Sequence, residues 1–135
     1  MERKKSSLYL VLVVLILSAL ACQTSFSTAN IADAWMSLDI EGDNRTSTYS
    51  DDDIFYAQVD LRNAPDDTLV KVAWIAVDAE EIEPNFVINE YEYIGGDSQL
   101  YFELENTGSL WPLGEYRVDI YLNETLDRSV TFFVQ

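Results

Sequence analysis

The chain has 135 residues, enough for one domain and a short targeting segment. After its only cysteine, Cys22, it carries five basic against 23 acidic residues, a net charge of −18; such a surface repels phosphates, so we expect no nucleic-acid partner. There is no histidine, which excludes Ser-His and Cys-His nucleophile pairs, and a lone cysteine excludes an internal disulfide and a thiolate zinc site.

The first 22 residues have the profile of an export signal. Basic residues 3–5 precede an uncharged, Leu- and Val-rich run at 8–20. This run is shorter than the roughly 20 apolar residues that a spanning helix needs, and it stops at small residues before the polar segment that begins at Gln23. We therefore predict a signal peptide at 1–21. The alternative is an uncleaved signal anchor, which the short core disfavours.

The end of this signal resembles the lipobox of bacterial lipoproteins, in which an aliphatic residue, a small residue and Ala or Gly precede an invariant Cys. The sequence reads Ala19-Leu20-Ala21-Cys22, with the Leu one place late, which the looser form of the motif admits. The resemblance implies cleavage between Ala21 and Cys22 and attachment of lipid to the Cys22 thiol. It places the protein in the bacterial cell envelope, anchored to the membrane by lipid on the extracytoplasmic side.

Two details complete the predicted anchor. Gln23, rather than Asp, follows the cysteine, which by the same resemblance favours the outer leaflet if the cell has two membranes. Residues 22–30 are polar and small, and we interpret them as the lipidated Cys and a flexible tether.

From residue 31 the pattern changes to the two-residue period of β strands. The first three segments begin near 33, 54 and 69, and the third is apolar on both faces, which predicts a central or covered strand. The predicted inward residues are Ala34, Met36, Leu38 and Ile40, then Phe55, Ala57, Val59 and Leu61, then Val70, Val72, Trp74 and Ala76.

Four more segments follow. Residues 85–94 form a less regular strand, and three clearer ones begin near 99, 115 and 128. Their predicted inward residues are Leu100, Phe102 and Leu104, then Tyr116, Val118, Ile120 and Leu122, then Val130, Phe132 and Val134. Seven short strands separated by loops rich in Asn, Asp, Gly and Pro predict an all-β sandwich domain at 31–135.

The stretch "LWPLGEYRVDIYLN" (110–123) resembles the corner motif of bacterial immunoglobulin-like and fibronectin type III-like domains. The resemblance implies an immunoglobulin-like antiparallel β-sandwich of about seven strands. It maps the corner tyrosine onto Tyr116, whose hydroxyl would bond to the backbone within 110–113, and the buried strand-C tryptophan onto Trp74. Val118 stands where antibody domains carry a cysteine, which implies a disulfide-free form.

Two groups of residues are candidates for ligand contact. Asp51, Asp52 and Asp53 form the densest acidic run and suggest a calcium loop, although solvated loop charge is the simpler interpretation. Tyr91, Tyr93 and Tyr101 could form a stripe that stacks on a sugar or a peptide; the alternative is aromatic pairing that stabilises the sheet. Apart from this possible calcium loop, we expect no metal site, no cofactor and no catalytic residue.

These observations lead to three functional hypotheses. The first is a non-catalytic, lipid-anchored extracytoplasmic immunoglobulin-like module for envelope interaction or for binding a protein or other ligand. The second is a carbohydrate-binding or protease-inhibitor-like domain that uses the exposed aromatics and loops. The third, an acidic-residue hydrolase, would need two converging carboxylates. We expect that the chain is not an enzyme.

Overall fold

The computed structural model describes residues 27–135, in which eight β strands form two sheets and no helix occurs. The expected all-β class is confirmed, with eight strands rather than seven. The strands are β1 (Asn30–Ser37), β2 (Thr48–Tyr49), β3 (Phe55–Arg62), β4 (Leu69–Ala79), β5 (Phe86–Ile94), β6 (Ser98–Leu104), β7 (Gly114–Leu122) and β8 (Thr125–Val134). The additional strand, β2, has only two residues, too few for an alternating pattern to reveal it.

The strands divide into a three-stranded sheet of order β1-β3-β6 and a five-stranded sheet of order β2-β8-β7-β4-β5. β2 pairs with β8 in parallel, and the other neighbours are antiparallel. β4 lies between β7 and β5, and Ala73 and Ile75 on its outer face are buried along with its inner face. This confirms β4 as a central strand covered on both sides.

The two sheets pack face to face around an aromatic cluster centred on Phe55, which is fully buried in β3. Its ring centroid lies 4.9 Å from that of Phe132, 5.8 Å from that of Tyr116 and 6.3 Å from that of Trp74 in the opposite sheet. Trp111 stacks on the same ring at 4.5 Å. Pairs of this kind add about 0.5–1.5 kcal/mol each to the burial of their apolar area, so this cluster holds the sheets together.

The predicted alternation of the first strand is wrong beyond Ser37. β1 ends there, and Leu38 and Ile40 are exposed because the chain turns back across the three-stranded sheet. The carboxylate of Asp39 accepts the backbone amides of Asp43 and Asn44, which closes the turn.

This turn covers Gln58, a polar residue that is 1% exposed on the outer side of β3. Its Nε2 lies 2.9 Å from the carbonyl oxygen of Ile40, 3.2 Å from that of Asp39 and 3.1 Å from the hydroxyl of Ser37. Burial of this amide is tolerated because its Nε2 is hydrogen-bonded, and it supplies the carbonyl oxygen of Ile40 with a donor.

At the N-terminal end of the described range, the chain already contacts the domain. The hydroxyl of Thr28 donates to the carbonyl oxygen of Asn63 at 2.7 Å, and Asn123 Nδ2 donates to Ser27 Oγ at 3.4 Å. The predicted signal at 1–21 and the lipidation residue Cys22 lie outside the described residues. Within residues 27–135, the chain contains no helix with the length and apolar character needed to cross a bilayer.

Candidate functional site

One side of the molecule is open because β5 and β6 are both terminal strands of their sheets. β5 pairs only with β4, and β6 pairs only with β3, within residues 27–135. The short connection at 95–97 joins these two strands across the gap between the sheets. A terminal strand presents unpaired N–H and C=O groups, so this side offers two such edges next to each other.

The register between β5 and β4 shows on which face of the sheet each side chain of β5 lies. Tyr91 is paired with Val72, and Tyr93 with Val70, both fully buried on the core face. Paired residues of neighbouring strands lie on the same face, so both tyrosines belong to the core-side face of β5. Glu90 and Glu92 alternate with them and therefore lie on the outer face.

Between the two edges lies a groove with a volume of about 350 Å³. Tyr91 and Tyr101 line it with rings that are 39% and 49% exposed, so two aromatic faces are available to a ligand. The remaining lining residues are Glu92, Phe102 and Glu103. We call this feature, lined by Tyr91, Glu92, Tyr101, Phe102 and Glu103, the edge groove. It combines aromatic surface with two carboxylates.

Neither carboxylate of the edge groove forms an ion pair within residues 27–135. Every ion pair in residues 27–135 uses an aspartate, and no glutamate of this range is paired. Between Lys71 and Arg117 the chain contains no Lys or Arg. The acidic residues of this stretch are Asp78, Glu80, Glu81, Glu83, Glu90, Glu92, Asp97, Glu103, Glu105 and Glu115.

The negative field on this side also acts on a nearby tyrosine. Tyr56 lies opposite Glu103 in the register of β3 and β6. The pKa of its hydroxyl is raised above the ordinary tyrosine value, first by desolvation and then by the carboxylates of Glu103 and Glu105. Desolvation disfavours charge of either sign, whereas the contribution of the two carboxylates would favour a positive charge.

The third member of the predicted aromatic stripe, Tyr93, does not line the edge groove. It is half-buried against the core, and its hydroxyl donates to the carbonyl oxygen of Gly96 at 3.3 Å. The structure therefore brings Tyr91 and Tyr101 together and uses Tyr93 to hold the connection between β5 and β6. Glu92 and Glu103 were not selected from sequence, although their alternation with tyrosine and phenylalanine was a usable signal.

The acidic run proposed for calcium forms a turn beside Trp111. The carbonyl oxygen of Asp51 accepts the backbone amide of Trp111 at 2.7 Å, and that of Asp53 accepts its indole Nε1 at 2.9 Å. A carboxylate oxygen of Asp53 accepts the amide of Ser50 at 2.7 Å.

These three aspartates and Trp111 border a cavity of about 160 Å³. In residues 27–135, however, no three acidic side chains converge in a way that could hold a metal ion. The observed role of Asp51–Asp53 is to position Trp111 against Phe55.

The two structural residues taken from the family resemblance lie in the core. Trp74 is fully buried in β4, and Tyr116 is fully buried in β7. The Tyr116 hydroxyl donates to the carbonyl oxygen of Pro112 at 2.6 Å. Burial raises the pKa of this hydroxyl to about 12.

No protein-family model and no curated protein sequence matches this chain. In structure, it is similar to the Pseudomonas fluorescens alkylpurine DNA glycosylase AlkC bound to DNA containing an abasic site analog, with a TM-score of 0.54 and 14% identity. The match covers 81% of this chain and 31% of that one, so the chain spans about a third of the length of the glycosylase. At this identity the likeness shows a shared fold.

The likeness corrects three expectations. A non-catalytic extracytoplasmic function, the absence of enzymatic activity and the absence of a nucleic-acid partner were inferred from a small, acidic, all-β domain. The same fold occurs within the chain of an enzyme that binds DNA, which contradicts all three. The physical reason is that fold and net charge do not determine activity. Activity depends on the particular residues that form a site on the fold.

Proposed function

We propose that the two sheets form an immunoglobulin-like sandwich that binds a positively charged ligand in the edge groove. The strand orders β1-β3-β6 and β8-β7-β4-β5 support the sandwich, as do the buried Trp74 and the hydrogen bond from Tyr116 to Pro112. The binding role is carried by one observation: two exposed tyrosine rings and two unpaired glutamates line one groove.

The tyrosine rings and the glutamate carboxylates of the edge groove both favour a positively charged ligand. Aromatic faces attract Lys and Arg side chains with about 0.5–1 kcal/mol at exposed sites, and an exposed charge pair adds up to about 1 kcal/mol. The domain already shows this preference elsewhere, because the Arg45 guanidinium lies 4.0 Å above the Trp35 ring. A ligand that contacts both tyrosines and both glutamates would combine several such contributions.

Titration calorimetry with hexalysine at low ionic strength tests this function. We expect binding that weakens with added salt and that falls about fivefold to tenfold in the double variant Glu92→Gln/Glu103→Gln. The matched control is Glu83→Gln/Glu124→Gln, which removes the same charge at exposed turn positions.

A DNA duplex is the alternative ligand, because the similar glycosylase structure contains bound DNA. DNA binding without hexalysine binding would overturn the proposal, as would an equal loss in both double variants, since equal loss would show a diffuse effect of net charge.

We also propose that the protein is a lipoprotein held through Cys22 in the bacterial cell envelope. The sequence Ala19-Leu20-Ala21-Cys22 after a short apolar core supports this proposal. Because Ser27 already contacts the domain, five residue steps separate it from Cys22, at most about 18 Å of extended chain. The end of the domain that carries residues 63–68, 95–97 and 123–124 would then face the membrane.

Intact-mass measurement of membrane-extracted protein tests the anchor. We expect the wild type to lack residues 1–21 and to carry an acyl mass, and we expect Cys22→Ala to lose that mass and membrane fractionation. The same mass and fractionation for both proteins would contradict the anchor and would leave the edge-groove proposal unaffected.

A further inference from the structure

The edge of β5 that faces away from β4 has no strand partner in residues 27–135. We infer that an extended peptide segment with Lys or Arg at every second position adds to this edge as a further strand. This inference rests on the proposed cation-binding function of the edge groove and specifies the form of its ligand. Strand addition of this kind takes affinity from backbone hydrogen bonds and specificity from alternate side chains.

The alternation of β5 determines the alternation of its partner. Glu90 and Glu92 lie on the outer face, and Tyr91 lies on the core-side face above the groove. On an added strand, residues directly opposite would have Cβ atoms about 4.5–5.5 Å away on the same face. Basic residues therefore fit opposite the two glutamates, and a residue between them would lie opposite Tyr91 on the core-side face.

A second copy of this chain is a poor occupant of the edge. In a parallel in-register pair of β5 strands, every glutamate would face a glutamate. In an antiparallel pair centred on Tyr91, Glu90 of each copy would face Glu92 of the other. Like charges directly opposite each other destabilise a strand pair, so the acidic edge disfavours self-association and favours a basic strand.

Lys71 does not neutralise this edge. It is the residue of β4 opposite Glu92, but its Nζ lies 4.7 Å from the centroid of the Tyr121 ring, on the side of β7. No ion pair between Lys71 and Glu92 is formed. The outer face of β5 therefore presents its charge to an incoming strand.

Two isomeric peptides separate strand addition from simple attraction of charge. Lys-Val-Lys-Thr-Lys-Val-Lys places all its lysines on one face of a strand, whereas Lys-Lys-Lys-Lys-Val-Thr-Val places them on both faces. We expect the alternating peptide to bind about tenfold more tightly to the full chain, and we expect Glu90→Gln/Glu92→Gln to remove this preference. Glu83→Gln/Glu124→Gln serves as the control and should retain it.

Backbone methylation tests the hydrogen bonds directly. Alternate amides of a strand point to the same side. One modified version of the alternating peptide carries N-methyl groups on its four lysines, and the other carries them on the three residues between. Each version blocks the hydrogen bonds of a different edge of the peptide. We expect one of these peptides to lose binding about tenfold or more and the other to retain it. In hydrogen exchange, alternate amides of β5 should gain protection when the unmodified peptide binds.

The outcomes distinguish this inference from the function on which it rests. If the two isomers bind equally and both methylated peptides retain binding that depends on Glu92 and Glu103, strand addition is wrong and the cation groove stands. If neither isomer nor hexalysine binds, the proposed function itself is wrong. Binding of a DNA duplex in competition with the alternating peptide at β5 would also overturn the inference.

Discussion

The Tyr116 hydroxyl and the carbonyl oxygen of Pro112 are joined by a 2.6 Å hydrogen bond that fixes the loop before β7 to the strand itself. Between them, Gly114 begins β7. Directly before Pro112, Trp111 enters the core and stacks on Phe55. Tyr116 is fully buried and Pro112 is half-buried, so the bond is partly shielded from water. The bond therefore connects loop geometry to the packing of the aromatic cluster.

Replacing Tyr116 with phenylalanine should lower the free energy of unfolding by about 1–2 kcal/mol at neutral pH. The ring would keep its packing against Phe132 at a centroid distance of 5.5 Å, but the half-buried Pro112 would lose the donor to its carbonyl oxygen. Urea denaturation measures the change. Tyr101→Phe, at an exposed ring, should change stability by less than about 0.5 kcal/mol; equal effects would contradict the role of the buried bond.

Alkaline pH should destabilise the domain through its buried tyrosines. The pKa of Tyr116 is raised by burial to about 12, from an ordinary value of 10.0, and burial raises that of Tyr49 as well. Above pH about 10 the unfolded chain loses the phenolic protons that the folded protein retains, so the free energy of unfolding falls as pH rises. For Tyr116 the loss is on the order of 2 kcal/mol near pH 12.

Denaturation at pH about 8 and about 11 tests this sign. The wild type should lose stability between the two values, and Tyr116→Phe should lose less because it has one fewer buried phenol. A variant that loses as much stability as the wild type would show that Tyr116 does not contribute to the alkaline transition.

Replacing Gln58 with methionine should destabilise the turn at 38–44 while nearly preserving side-chain volume. The carbonyl oxygen of Ile40 would lose its donor, at a cost of about 1–3 kcal/mol, whereas that of Asp39 would keep the Ser37 hydroxyl and the Gly42 amide. The amides of Asp43 and Asn44 should then exchange faster. Unchanged exchange of these two amides in Gln58→Met would contradict the prediction.

The strands that sequence predicted best are those whose alternation coincides with burial. In β3, Phe55, Ala57, Val59 and Leu61 are all buried as expected, since a period of two places one side of a strand in the core. The same rule failed at Leu38 and Ile40, where a turn held by Gln58 and Asp39 ends the strand. The contacts of the Gln58 side chain with the backbone of Asp39 and Ile40 join residues about 20 positions apart. Such contacts produce no periodic pattern in the sequence.

The candidate site was also predictable only in part, because it too depends on contacts between residues that are far apart in the sequence. Alternation identified Tyr91 and Tyr101 as aromatic residues of strands, but Tyr93, two residues from Tyr91, turned out to hold the connection through Gly96. Which residues meet across the gap depends on β5 and β6 being the terminal strands of different sheets. Strand order is a property of long-range pairing, and local patterns do not encode it.

Gly114→Ala should be among the most disruptive single-methyl changes in the domain. Gly114 has φ 148° and lies opposite Ala79 at the end of the β4–β7 ladder. A Cβ there would overlap the backbone of Asp78 and lie 2.6 Å from the Cα of Ala79, so β4 and β7 would have to separate. We expect a loss of about 2–4 kcal/mol in the free energy of unfolding, from backbone strain and overlap together.

The matched control is Gly108→Ala. Gly108 also has positive φ, 86°, but a Cβ there meets no atom within 4 Å. Gly108→Ala should therefore lower the free energy of unfolding only by the conformational strain, about 1–2 kcal/mol. Urea denaturation of both variants measures how much more Gly114→Ala loses. Equal losses would show that β4 and β7 can accommodate a methyl group at Gly114. A larger loss in Gly114→Ala would show that close backbone approach determines the residue at the start of β7, two residues before the Tyr116 that fixes the preceding loop.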